Sequence, residues 1–263
     1  MNGPTLLDPQ ALDHDIHALG AYLPIPGYGV LPVNAFLVHG AQPMLVDTGL
    51  AALRSAFIDS LERLMDPAQL RWIWLTHADA DHTGSLAEVL ERAPEARVIT
   101  TFVGMAKLGL QGFPVDRVYL LNPGQTLHIG DRTLHCIKPP IFDAPETTAL
   151  FDSSSRTLFS SDCFGALMDA PAVTAAEIAP AKLREGARTW ATIDSPWLRL
   201  VDEHRFGEEL ARIRDLAPTS VLSSHLPPAT DMVETLLQNL DAARAAPSFE
   251  GPDQAALEAM MAA

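Results

Sequence analysis

The sequence predicts a layered α/β fold, and three observations predict it. Between residues 33 and 121, short apolar runs alternate with segments in which apolar residues recur at helical spacing. From 126 to 162 the pattern changes to paired apolar runs separated by turn residues. Helical spacing then returns over 203–217 and 229–243, on either side of one short strand-like run. Helices interleaved with strands in this way cover the outer faces of central sheets.

The elements follow in order. Pro/Gly-rich residues 24–32 lead into VNAFLVHG and then PMLVDTG, apolar runs broken at Gly40 that read as neighbouring strands. After the turn at Gly49, Leu53, Phe57, Leu61 and Leu64 predict an amphipathic helix over 51–65. RWIWLTH, residues 71–77, reads as a strand, and Leu86, Val89 and Leu90 mark a helix after Gly84. ARVIT near 97 is a further strand, 101–112 a short helix and DRVYLL near 118 extended chain. TLHIGDRTLHCIKP and TTALFDSSSRTLFSSD carry hairpin signals, a Gly-Asp turn in the first and a Ser-rich turn in the second. Helices at 203–217 and 229–243 flank the strand SVLSSH. No linker composition divides the chain, so 1–245 reads as one domain and 246–263 as a C-terminal tail. The stretch 166–200 predicts no regular element.

Bulk composition narrows the function. Of 263 residues, 48% are hydrophobic and 19% charged, and no apolar run is long enough to span a bilayer, so no membrane partner is expected. A formal net charge of −15 opposes contact with phosphate backbones, which excludes nucleic acid as a partner. The N-terminal residues lack a basic segment followed by an apolar stretch, so the expected location is cytoplasmic. Cys136 and Cys163 have no metal-binding spacing and read as buried, reduced thiols. A surplus of carboxylates is tolerable inside a fold only if cations compensate it, which directs attention to metal.

The most informative stretch is THADADHTG, residues 76–84. His77, Asp79, Asp81 and His82 place four metal-capable side chains on one strand-to-helix loop, and single-residue spacers let alternate side chains converge. The structural alternative is a surface loop in which Asp81 or Thr83 caps the next helix.

This stretch resembles the signature of the metallo-β-lactamase superfamily, His-x-His-x-Asp-His followed by Gly, which implies a four-layer αββα sandwich with a metal site at its mouth. Asp79 departs from the hydrolase pattern, where His stands. It is similar instead to the flavodiiron and oxygen-binding diiron group, in which that position is acidic. The likeness extends over Asn34, the strand end Leu45 to Gly49, the turn Ser160 to Gly165 and Ser223 to His225. It implies that Asp162 bridges two metals, that His225 ligates the second, and that Asp47 orients ligands from behind. Where the group usually has His, this chain has Asp143, which takes the ligand position or leaves it to water; His135 is the weaker candidate. His82 either completes the second metal or supports the site from behind.

The metal residues expected from the resemblance are therefore His77, Asp79, Asp81, His82, Asp143, Asp162 and His225, with Asp81 and His82 as catalytic candidates. The oxygen-rich donor set favours two iron ions, with zinc or manganese as alternatives. The resemblance implies a nonhaem diiron site that binds or reduces dioxygen or a similar small oxidant. No stretch of these 263 residues resembles a flavodoxin-like domain, so a reductase would draw on an external electron donor. The alternative is a zinc or manganese hydrolase that cleaves a small-molecule ester, lactone or phosphodiester through a bridging hydroxide; a third is a metal-free scaffold. Tyr28, Phe164, Met168, Trp190 and Trp197 are candidates to line a pocket, and the residues around Trp197 to form a lid or a homodimer contact.

Overall fold

The computed structural model describes residues 3–262. Its first sheet comprises β1 (Thr5–Leu6), β2 (Gln10–Ala11), β3 (Ile16–Ile25), β4 (Gly29–Val38), β5 (Met44–Val46), β6 (Trp72–Trp74), β7 (Arg97–Thr100) and β8 (Val118–Leu120). The second comprises β9 (Thr126–Ile129), β10 (Arg132–Ile137), β11 (Ala149–Asp152), β12 (Thr157–Phe159), β13 (Ser220–Leu222) and β14 (Ala229–Thr230). In the first sheet β3 to β5 pair antiparallel and β5 to β8 parallel. In the second, β12 and β13 form a parallel pair in an otherwise antiparallel sheet.

Three buried apolar clusters define the layers. Between the sheets lie Phe36, Val38, Met44, Val46 and Trp74 from one, and Leu134, Cys136, Leu150, Phe159 and Leu222 from the other. Helices α1 (Arg54–Leu64), α2 (Leu86–Arg92) and α3 (Phe102–Leu110) cover the outer face of the first sheet through Phe57, Leu61, Val89 and Leu108. Helices α4 (Pro180–Asp194), α5 (Glu203–Leu216) and α6 (Val233–Arg244) cover the second through Leu183, Phe206, Leu210 and Leu237. The result is the expected αββα sandwich. Each fully buried large side chain, Trp74 or Phe159 for instance, contributes on the order of 2–3 kcal/mol of burial.

Three elements depart from the sequence pattern. β3 lies where no strand is predicted, because Ile16 and the run Ala18 to Tyr22 are buried and show no two-residue alternation. α4 lies in the stretch without a predicted element, because its buried face is built on small residues, Gly186, Ala187 and Ala191, and carries only Leu183 as a large aliphatic anchor. The residues read as a tail carry α7 (Gln254–Ala262). They also return to the β3–β4 turn, where Phe249 meets Tyr28 edge to face with centroids 5.5 Å apart. No helix among the described residues is long and apolar enough to cross a membrane.

The strand ends matter most for function. Parallel strands β5 and β6 release the chain at Asp47 and at Thr76–His77, while β12 and β13 release it before Asp162 and His225. The loop after β10 brings Asp143 to the same edge of the sandwich.

Candidate metal centre

The loop after β6 is shaped by its backbone neighbours. The Gly84 amide donates to the Gly49 carbonyl at 2.9 Å. A Cβ on Gly84 would stand 2.2 Å from the Ala51 nitrogen and 2.3 Å from the Gly49 oxygen, so only glycine lets the two loops close together. Asp47, Ser161 and Phe164 hold left-handed backbone at φ 58°, 55° and 69°. Each of these costs free energy that the surrounding structure must offset, and all three border the site.

Asp47 is buried and accepts four contacts: from the Thr76 amide (2.9 Å), the Thr76 hydroxyl (2.8 Å), His82 Nδ1 (2.8 Å) and, weakly, the Ser224 hydroxyl (3.5 Å). His82 Nδ1–H therefore points outward and its Nε2 inward. His225 is arranged in the same manner, its Nδ1 donating to the Pro32 carbonyl at 2.7 Å. His77 Nδ1 lies 3.2 Å from the Thr76 hydroxyl and 3.3 Å from that of Ser161. Outward anchoring of one ring nitrogen is the usual way a protein presents the other to a metal.

The inward nitrogens meet carboxylates in two groups. His82 Nε2 lies 3.5 Å from Asp81 Oδ2 and 3.1 Å from Asp162 Oδ1, and His225 Nε2 lies 3.4 and 3.3 Å from the same two atoms. His77 Nε2 lies 3.5 Å from Asp162 Oδ2 and 3.9 Å from Asp143 Oδ2. Asp79 joins His77 and Asp143, with their ligand atoms within 4.8 Å of one another. Asp162 thus turns one oxygen to each group. Donor atoms that share a metal at about 2.1 Å stand roughly 3 Å apart, close to these separations.

The polar balance fits a cation. His82 Nε2 and Asp162 Oδ1 are both buried and make no hydrogen bond of acceptable geometry. Such atoms each cost about 1–3 kcal/mol unless something satisfies them. Burial pushes the Asp162 carboxyl up, but His225, His77 and His82 outweigh it and hold it well below the usual range. Burial likewise opposes charge on His82, and Asp81, Asp162 and Asp47 override it and hold the ring well above its ordinary value. For His225, Asp162 and Asp81 prevail over burial and raise it to about 9. Asp81, raised by burial, is carried below its ordinary value by His82 and His225. Asp79 is pushed up by burial, with Asp143 and Asp81 adding to the effect. These opposed shifts describe a set of groups that binds protons where cations would sit.

All seven residues singled out in the sequence, His77, Asp79, Asp81, His82, Asp143, Asp162 and His225, come together at this edge. His135 does not: it faces Thr126 and Phe151 on the second sheet. Trp190 packs on His225, with ring centroids 4.5 Å apart, and donates to the Asp162 carbonyl at 3.0 Å. Gly165 makes room for it, since a Cβ there would stand 2.5 Å from Trp190 Nε1 and 2.8 Å from His225 Cβ. Trp197 donates to the Phe142 carbonyl beside Asp143. Tyr28 and Met168 line a separate cavity of about 540 Å³ that contains none of the seven residues.

Two features escape the sequence reading. Asp194, at the C-terminal end of α4, brings a carboxylate to Asp143 and Asp162; burial and the Asp162 charge raise it to about 7. Its signal is the four-residue spacing from Trp190, visible only once 180–194 is known to be helical. Lys138 is the second: its ammonium donates to the carbonyls of Ala144, Pro145 and Thr147, folding the Asp143 loop around itself.

Comparison with known proteins agrees with this architecture. The type A flavoprotein FprA of Rhodobacter capsulatus is 30% identical over 185 residues, 63% of this chain and 40% of that protein. The anaerobic nitric oxide reductase flavorubredoxin of Klebsiella pneumoniae is 28% identical over 171 residues, 64% of this chain and 36% of that one. This chain therefore spans about two-fifths or less of the length of these curated relatives. Among solved structures, the rubredoxin oxygen:oxidoreductase of the anaerobe Desulfovibrio gigas superposes with a TM-score of 0.78 at 20% identity, covering 89% of this chain and 61% of that one. At that identity the likeness concerns the fold. A family model described as ODP family beta lactamase matches residues 31–189, more than half of the chain, and the chain belongs to that family.

Proposed function

We propose that this chain holds a dinuclear nonhaem iron centre that binds or reduces dioxygen or a similar small oxidant. The observation that carries the reading is Asp162, a buried carboxylate whose two oxygens face two separate groups of ligand atoms. His77, Asp79 and Asp143 would hold one ion, Asp81, His82 and His225 the other, and Asp162 both. When bound, two ferrous ions would supply one electron each to a small oxidant.

The protein's own contributions are positional. Asp47, the Pro32 carbonyl and the hydroxyls of Thr76 and Ser161 fix the imidazoles, so each ring faces the metal position without rearrangement, and a cation that binds displaces the protons of His82 and His225. Trp190 covers His225 and keeps bulk water from that side. Asp79 and Asp143 are the more exposed members, so a small oxidant would enter beside them. The names of the relatives, a flavoprotein, a flavorubredoxin and a rubredoxin oxygen:oxidoreductase, support electron delivery to this site by a flavin or rubredoxin group. The hydrolase reading is not favoured, since one relative is named a nitric oxide reductase and one structural neighbour an oxygen:oxidoreductase, and the donor set is rich in carboxylate.

The test is metal content per chain and spectroscopy on protein prepared with and without oxygen. Near two irons per chain, lost in Asp162→Ala, with an absorption change on exposure of the reduced protein to oxygen, is the expected result. No preference for iron over zinc, or no oxygen-dependent change, would sink it.

A further inference from the structure

The two halves of the site are unequal. One imidazole, His77, serves the half that contains Asp79 and Asp143, whereas two, His82 and His225, serve the half that contains Asp81. On the poorer side stands a further carboxylate that no sequence motif announces. One oxygen each of Asp143, Asp162 and Asp194 lie within 4.8 Å of one another.

Asp194 is brought there by construction. Trp190 and Asp194 are four residues apart on α4 and share a helix face. Trp190 is fixed to the Asp162 turn by its hydrogen bond to the Asp162 carbonyl, so the next helical turn delivers Asp194 over the same site. Asp194 Oδ2 accepts from the Ser195 hydroxyl at 2.9 Å. Among the described residues, the ion-pair partners of Asp143 and Asp162 are imidazoles alone, and no lysine or arginine pairs with Asp194. Asp162 is 5% exposed, with its Oδ1 turned to His82 and His225 and its Oδ2 to His77. Three carboxylates so close, one of them buried and none of them paired with a lysine or arginine among the described residues, call for a cation among them.

Resting on the dinuclear reading, we infer that Asp194 is a further ligand of the His77 half, which makes that half a hard, oxygen-rich position suited to manganese(II) or iron rather than zinc. With Asp79, Asp143, Asp162 and Asp194 against a single imidazole, its donors are those that hard cations prefer. The other half, with two imidazoles, is the softer of the pair. The two positions therefore fill in a fixed order when manganese(II) is added.

The experiment is a manganese(II) titration of metal-depleted protein, read by electron paramagnetic resonance and by metal retained after dialysis, for the wild type, Asp194→Asn and Asp162→Asn. Wild type should retain two equivalents, with the signal of a coupled pair. Asp194→Asn should bind one of them ~10-fold or more weakly and show an isolated-ion signal in place of the coupled one. Thermal unfolding separates ligation from structure: Asp194→Asn should leave the metal-free protein as stable as wild type or more so, and lose part of the gain on adding manganese(II). Asp194→Asn with two equivalents at unchanged affinity overturns the assignment of Asp194 and leaves the dinuclear reading standing. Wild type that binds one equivalent or none overturns both. A loss of stability in Asp194→Asn without metal, equal to its loss with metal, marks the residue as structural and also overturns the assignment.

Discussion

At the scale of single residues, the site depends on contacts that no ligand list contains. Asp47 holds His82 by its Nδ1 and ties the loop after β5 to Thr76. Asp47→Asn should keep the fold and weaken metal binding about 10- to 100-fold, measured by competition with a chelator. Gly165→Ala should act from the other side: the added methyl displaces Trp190 or His225, and retained metal per chain should fall while far-ultraviolet circular dichroism stays unchanged. The two cysteines are a control of a different kind. Burial pushes the Cys136 thiol up to about 12 and the Cys163 thiol higher still. At pH 8 neither carries an appreciable thiolate fraction, so neither should react with an alkylating reagent until denaturant is added. Most of the seven candidate residues that the structure brings together were legible because their spacing is local, four of them within six positions, or because they close short strand-end motifs. Asp194 was not, since its meaning depends on a helix whose existence the sequence pattern does not reveal.

At the scale of elements, legibility followed the chemistry of the buried face. α1, α5 and α6 bury large aliphatic and aromatic side chains at helical spacing and stand out, whereas α4 buries glycine and alanine against the Leu167 backbone and does not. The hairpins β9–β10 and β11–β12 were announced by their turn residues; β3, buried on most of its length, lacked the alternation that marks a half-exposed strand. The loop between β10 and β11 is held by cations instead of regular structure. Lys138 donates to three of its carbonyls, and Lys107 of α3 pairs with the buried Glu146 at 2.6 Å. Lys138→Met should release those carbonyls at a cost of about 1–3 kcal/mol. Hydrogen exchange should then quicken over residues 141–148 and remain unchanged in β12 and β13, which localises the effect to the Asp143 loop.

At the scale of the whole molecule, both sheets contribute to the proposed ligand set, so the candidate site spans the sandwich like a clasp. The first sheet gives His77, Asp79, Asp81 and His82, the second Asp143, Asp162 and His225. An ion bound only by the folded form should raise stability by about 2.7 kcal/mol at 100 times its Kd. For a chain of this size that is roughly 5–10 °C in Tm, to be checked by calorimetry with added metal and with chelator; no shift in either direction would contradict a clasp. The pairing of β12 with β13 adds a consequence in time. These strands lie side by side and parallel, yet α4 and α5 intervene in the chain between them. Asp162 and His225 therefore remain strangers until that crossover has closed. A growing polypeptide that has made the first sheet offers only a weak chelating loop, and firm retention of ions begins when the later strand docks. On the dinuclear reading, metal acquisition is a checkpoint in the protein's biogenesis: only a chain whose second half has found its place can keep its cargo.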